Sequence, residues 1–205
     1  MDAARASPWL WAPWVAWALG SIPVGYLLVR ARLGLDVRTQ GSGTVGARNV
    51  ARLLGWPGFV ATLGLDLLKG AAAVLLAQWA APHHLAVPMA ALLCCVVGHD
   101  FPPWIAWRGG NGIAPLLGGL MVLDPNVLVL DGMLFVVALA VLRLAAHTRG
   151  AAVRPHRAGA VALAAIPPLA WWTGWPRPAL GLLAVTVVLI LVTLRAASRR
   201  PSNAT

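Results

Sequence analysis

The residue types best suited to chemistry in this chain sit in two short glycine-rich segments. The first is Gly41-Ser42-Gly43-Thr44-Val45-Gly46-Ala47-Arg48-Asn49, with Arg52 close behind; the second is Arg108-Gly109-Gly110-Asn111-Gly112. Glycine leaves backbone N–H groups uncovered, and such groups beside guanidinium forks can cradle a phosphate. Gly41, Gly43, Gly109, Gly110 and Gly112 are the candidates for close backbone approach, and Arg52 and Arg108 for clamping charge. Arg48, Asn49 and Asn111 complete the candidate substrate-binding set. Ser42 offers a hydroxyl that can donate a hydrogen bond to substrate or to a developing oxyanion. His99, just ahead of the second segment in Gly98-His99-Asp100-Phe101-Pro102, could orient that loop or take a proton near neutral pH. A single histidine near the end of an apolar run more often packs than catalyses, and only Asp100 and the glycines ahead raise its standing.

Gly41 to Gly46 also spells G-x-G-x-x-G, with Asp66 twenty residues further on. A dinucleotide site would need a strand before the glycines and a second strand ending at the acid. Here an apolar helix-length run precedes the glycines and Asp66 lies inside another, which argues against that reading. The two cysteines, Cys94 and Cys95, are adjacent and the five histidines are scattered, so no metal-ligand spacing exists and no cofactor is expected.

The elements that must position these loops read as membrane helices. The chain has 205 residues, 60% hydrophobic and 11% charged, with mean hydropathy +0.77, outside the range of an ordinary soluble domain. Ala6 to Val29 is uncharged and long enough to cross a bilayer; it runs past Ala16-Trp17-Ala18, so an uncleaved helix is expected rather than a signal peptide. Further apolar runs cover residues 57–80, 85–107, 113–123, 126–146, 158–175 and 178–194. The expected fold class is all-α: one polytopic membrane domain over residues 1–205 with about seven transmembrane helices.

Net charge is +10, with no glutamate and six Asp + Glu in all. The basic residues fall between apolar runs rather than along one soluble face, which points to an anionic leaflet and anionic substrates and away from nucleic acid. With seven alternating helices, Arg30, Arg32, Arg38, Arg48, Arg52 and Arg108 share a side with Arg143, Arg149, Arg154, Arg157, Arg195, Arg199 and Arg200. Arg5 and Arg177 fall opposite. The positive-inside rule makes the crowded side cytoplasmic, with the N-terminus out, the C-terminus in and both glycine loops cytoplasmic. Asp66 and Lys69 stand three apart on one helix face and are expected to pair as a packing device inside the bundle.

Taken together these motifs resemble the bacterial acyl-phosphate:glycerol-3-phosphate acyltransferase family (PlsY). The resemblance rests on Leu19-Gly20-Ser21-Ile22-Pro23-Val24-Gly25-Tyr26, the GSG-x-x-GA-x-N-x-x-R pattern over Gly41 to Arg52, Leu65-Asp66-Leu67-Leu68-Lys69-Gly70, Gly98-His99, Phe101-Pro102, and the GG-x-G of Gly109 to Gly112. It covers roughly the first two thirds of the chain. It implies seven helices in the cell membrane and an active site built from cytoplasmic-side loops. It implies transfer of an acyl group from acyl phosphate to the 1-hydroxyl of glycerol 3-phosphate, giving lysophosphatidic acid among membrane lipids. Ser42, Asn49, Arg52, His99 and the loop glycines align with the family's functional motifs. The chain departs from the family at Thr44, where Asn is usual, at Arg48, where Thr is usual, and at Asn111, where Lys is usual. The serine expected after the fifth helix and the His/Asn motif after the last have no counterpart. Two other readings stay open on sequence: a paralogue that binds phosphate-bearing lipid precursors without turning them over, and a transporter of anionic lipids or metabolites.

Overall fold

The computed structural model describes residues 7–126 and, beyond them, residues 128, 129, 132, 133, 136, 137 and 140. The expected sixth and seventh spans, most of the fifth, Arg5 and every arginine from Arg143 onward lie outside the described residues. Five α-helices carry the described part: α1 (Pro8–Gly20), α2 (Val24–Leu33), α3 (Ala47–Ala80), α4 (Ala86–Asp100) and α5 (Ile113–Leu123). Short 3-10 turns at Val37–Thr39 and Pro103–Ile105 lead into the two glycine-rich segments. Pro8–Leu33, Ala47–Ala80 and Ala86–Ile105 are each long and apolar enough to cross a membrane.

The first span is not the uninterrupted helix that its composition suggests. It breaks at residues 21–23, where Pro23 lacks an N–H and its ring disfavours a helical Ile22. The second begins ten residues before its apolar core. Arg48, Asn49 and Arg52 therefore lie on a helical arm, residues 47–54, rather than in a loop. Gly55 adopts φ 65°, a left-handed value, and with Pro57 behind it the arm bends away from the long apolar segment.

α5 has 11 residues and is about 17 Å long, short of a hydrocarbon core of about 30 Å. It is an interior element. Leu116, Leu120 and Leu123 bury against Val74, Met89, Leu92 and Val96. The helices meet backbone to backbone at small residues. A Cβ at Gly70 or Gly118 would overlap a carbonyl across the α3–α5 contact, and at Gly20 or Gly98 across α1–α4. Trp14, Trp56 and Trp79 point outward, as lipid-facing aromatics do.

This arrangement brings both glycine-rich segments to one end of the bundle. α2 and α4 run towards that end, and α3 and α5 start from it. A buried cluster of Val29, Val37, Val45, Val50 and Ile105 ties the two lead-ins together.

Candidate functional site

The first loop is organised by one side chain. Asn49 is buried, and its amide nitrogen lies within 2.9–3.0 Å of the carbonyls of Val37, Gln40 and Thr44. An amide has two protons, so at least one is shared between acceptors. Its oxygen accepts from the Ser42 N–H at 3.0 Å. The amide of Asn49, placed by sequence in the candidate substrate-binding set, is thus engaged on both its nitrogen and its oxygen by the loop itself. Gly41 and Gly43 adopt φ 54° and 72°. The Arg52 guanidinium lies against Gly41, in space that a Cβ would claim. Ser42 Oγ faces Thr44 Oγ1 at 3.1 Å, both accessible.

The second loop is held by backbone instead. The N–H groups of Gly109 and Gly110 donate to the carbonyls of Asp100 and His99, each at 3.1 Å, and are spent there. Among the described residues, the N–H groups of Asn111, Gly112 and Ile113 have no hydrogen-bonding partner. Just upstream, Ala106 and Trp107 adopt φ 55° and 60° without being glycine. Such conformations cost about 1–3 kcal/mol each and persist only where the surroundings impose them.

The same end-group chemistry heads both loops. α3 starts after Gly46 and α5 after Gly112, neither with a side-chain cap nor with an acidic residue in the first turn. Each therefore offers unsatisfied N–H groups and the positive end of a helix dipole. Arg48, Arg52 and Arg108 are exposed at this end. Arg38, which sequence reading left out of the site, bridges it. Its guanidinium forks onto Asp36 (2.6–3.2 Å), donates to the Ile105 carbonyl, and lies 5.3 Å from the Tyr26 ring centre. That fork holds the Asp36 carboxyl below its ordinary range and raises Arg38. Only the short D-x-R spacing hinted at it.

His99 is buried beneath the second loop. Nδ1 lies 3.7 Å from Asp66 Oδ1, and Nε2 faces the Gly110 Cα so closely that a Cβ there would overlap the ring. Its charged neighbour is Asp66, not the sequence-adjacent Asp100, whose carboxyl oxygens have no hydrogen-bonding partner among the described residues. Ser42 and His99 make no hydrogen bond with each other among the described residues. Among the described residues the site gathers hydrogen-bond donors and positive charge, which suits the positioning of anions.

Comparison with known proteins follows the same line. The family model described as glycerol-3-phosphate acyltransferase matches residues 10–203. A glycerol-3-phosphate acyltransferase of Myxococcus xanthus is 43% identical over 125 residues, 61% of this chain and 65% of that protein. One from Thermosynechococcus vestitus is 40% identical over 141 residues, 63% of this chain and 66% of that protein. The chain thus spans a little under two thirds of the length of these curated relatives. The crystal structure of PlsY, an integral membrane glycerol 3-phosphate acyltransferase, in its glycerol 3-phosphate form superposes with TM-score 0.78. That match has 26% identity and covers 93% of this chain and 90% of that one. The lysophosphatidic acid form gives TM-score 0.76 at 25% identity. With the family model running through nearly all of its length and the PlsY architecture matched over 93% of it, this chain is an integral membrane protein that belongs to the glycerol-3-phosphate acyltransferase family.

Proposed function

We propose that this chain transfers a fatty acyl group from acyl phosphate to a hydroxyl of glycerol 3-phosphate, giving lysophosphatidic acid and phosphate for phospholipid synthesis. The observation that carries the reading is the pair of uncapped, glycine-headed helix N-termini at one end of the bundle, ringed by exposed arginines. Two phosphate-bearing reactants need two such anion sites side by side. The substrate hydroxyl attacks the acyl carbonyl carbon, the bond from that carbon to the phosphate oxygen breaks, and the departing phosphate takes the hydroxyl proton. The donor is already activated, so alignment and charge stabilisation suffice.

Within this scheme Arg52 and Arg108 clamp phosphate, with Arg48 adding charge, and the N–H groups heading α3 and α5 donate to phosphate oxygens. Gly41, Gly43 and Gly112 give the backbone its close approach. Ser42 donates to substrate or oxyanion, and Asn111 contributes a neutral hydrogen bond. His99, Gly109 and Gly110 set the position of the second loop. The fold is completed by further helices to about seven in one domain. The arginine-rich end faces the cytoplasm, on the strength of the one-sided basic residues.

The test is purified protein in detergent given acyl phosphate and glycerol 3-phosphate. Equimolar phosphate and lysophosphatidic acid are expected, and a folded protein that makes neither contradicts the proposal. Asn111, neutral where the resemblance leads one to expect lysine, favours one second reading, a chain that binds without turnover. Wild-type silence with turnover restored by Asn111→Lys would select that reading.

A further inference from the structure

Lys69 is the only lysine in the chain, and it sits within the apolar length of α3. Its ammonium is buried, lies 3.0 Å from Asp66 Oδ1, and donates to the carbonyls of Gly20 at 2.9 Å and Ile22 at 3.1 Å. Pairing with Asp66 on the same helix would need no contact with α1, so the two carbonyl contacts are a separate feature. Those carbonyls flank the break between α1 and α2, where the helical ladder is interrupted; the Ile22 carbonyl also accepts from the Val24 N–H at 3.0 Å, while the Gly20 carbonyl has Lys69 as its donor among the described residues.

The opposite side of the break is gripped by the lead-in to the second loop. Ser21 Oγ donates to the Ala18 carbonyl at 2.8 Å and accepts from Trp104 Nε1 at 2.9 Å. Trp104 belongs to the 3-10 turn Pro103–Ile105, which precedes the loop. Gly98, next to His99, packs its Cα against Trp17 and Ser21 so tightly that a Cβ would overlap backbone. The break is therefore a shared joint. α3 reaches it through Lys69, α4 through Gly98, and the turn before the second loop through Trp104.

We propose that Lys69 is a positioning residue for the second glycine-rich loop. Its ammonium fixes the carbonyls of the α1–α2 break, and the break fixes the depth of the Trp104 turn from which Gly109 to Gly112 departs. Asp66 makes the charge tolerable within the membrane, while the carbonyl contacts do the positioning. Only the kinetic consequence rests on the acyl-transfer reading. A misplaced loop raises KM for glycerol 3-phosphate, whereas a purely structural defect lowers the active fraction, hence the apparent kcat, and leaves KM alone.

The test is the rate at which a charged, membrane-impermeant maleimide labels Asn111→Cys in the purified full-length chain. Protein with native Asn111 serves as the blank for Cys94 and Cys95. Asp66→Asn/Lys69→Met removes both charges together, and it should change the rate by about tenfold or more through loosened local packing. Trp104→Phe, which loses only the indole donor, should shift it in the same direction. The proposal is overturned if the double variant labels like the parent or fails to fold. It is equally overturned if Trp104→Phe has no effect. Labelling needs no turnover, so a wild-type chain that transfers no acyl group would remove the functional reading and leave this result standing.

Discussion

The two glycine-rich segments reach one end of the bundle and are built by opposite means. The first is shaped from within. One buried asparagine, Asn49, gathers three carbonyls and an N–H from residues at most twelve positions away. The second is shaped from outside, by backbone hydrogen bonds to the end of α4 and by the His99 ring pressed against Gly110. A loop of the first kind is vulnerable at a side chain. A loop of the second kind is vulnerable wherever a side chain is added.

The largest expected effect separates the two asparagines. Asn49→Ala removes every contact of the buried amide; the Val37 and Gln40 carbonyls still accept from the Gln40 and Gly43 N–H groups, but the Thr44 carbonyl and the Ser42 N–H lose their partner, a loss of about 2–6 kcal/mol at roughly 1–3 per unsatisfied group. Asn111 is half-buried with no hydrogen-bonding partner among the described residues, so Asn111→Ala should stay within about 0.5 kcal/mol of the parent. Thermal unfolding in detergent reads both, and equal losses would erase the distinction between the loops.

Gly110→Ala comes next. Its methyl group must displace the His99 ring or the loop, and a misplacement of about 1 Å can cost about a hundredfold in turnover. Unchanged kcat/KM in Gly110→Ala would show that the close approach is not needed. Arg52→Ala tests charge rather than shape. Loss of one charge-assisted hydrogen bond of about 1.5–3 kcal/mol predicts a tenfold to hundredfold fall in kcat/KM. Arg32→Ala, at the end of α2, should change little, and similar falls in both variants would reduce Arg52 to a leaflet anchor.

The smallest effect is at Asp36. Its carboxyl is held below 3.8 chiefly by the Arg38 side-chain hydrogen bond. A depressed folded-state value means the stabilisation is present above about pH 3.8 and is lost as pH falls through the lowered value. Asp36→Asn should therefore be less stable than the parent at pH 7, by about 1 kcal/mol or less for a partly exposed pair. The gap should close below pH 3.8, and a gap independent of pH would assign the effect to something other than this ionised fork.

Much of this was legible in the chain because it is local. The i, i+3 spacing of Asp66 and Lys69 gave their pairing, observed at 3.0 Å. The glycines and arginines marked both loops, and the apolar runs gave three spans. What stayed hidden depends on tertiary distance or on one backbone angle. Pro23 was visible, but apolar composition alone does not separate a span that breaks there from one that continues. The left-handed Gly55 joins the apolar part of α3, across a kink, to a helical arm that carries Arg52 and Asn49, which composition assigns to a loop. The Arg38 contact with Ile105 spans 67 positions, and the histidine's charged neighbour proved to be Asp66 of another helix rather than Asp100 beside it. Gly109 and Gly110 carried the signature of phosphate-binding glycines. Their N–H groups go to α4 instead, because the chain must turn tightly over its end.

The central claim is that both loops, at one membrane face, hold phosphate. It is tested most directly by labelling Ser42→Cys and Asn111→Cys separately with an impermeant maleimide, in inside-out vesicles and in intact cells. Glycerol 3-phosphate, inorganic phosphate or glycerol is added in each case. The account predicts labelling in inside-out vesicles only, with each position slowed by at least one phosphate-bearing ligand and neither slowed by glycerol. Labelling of either position from outside intact cells, or a rate at either position unmoved by both phosphate-bearing ligands, would contradict it.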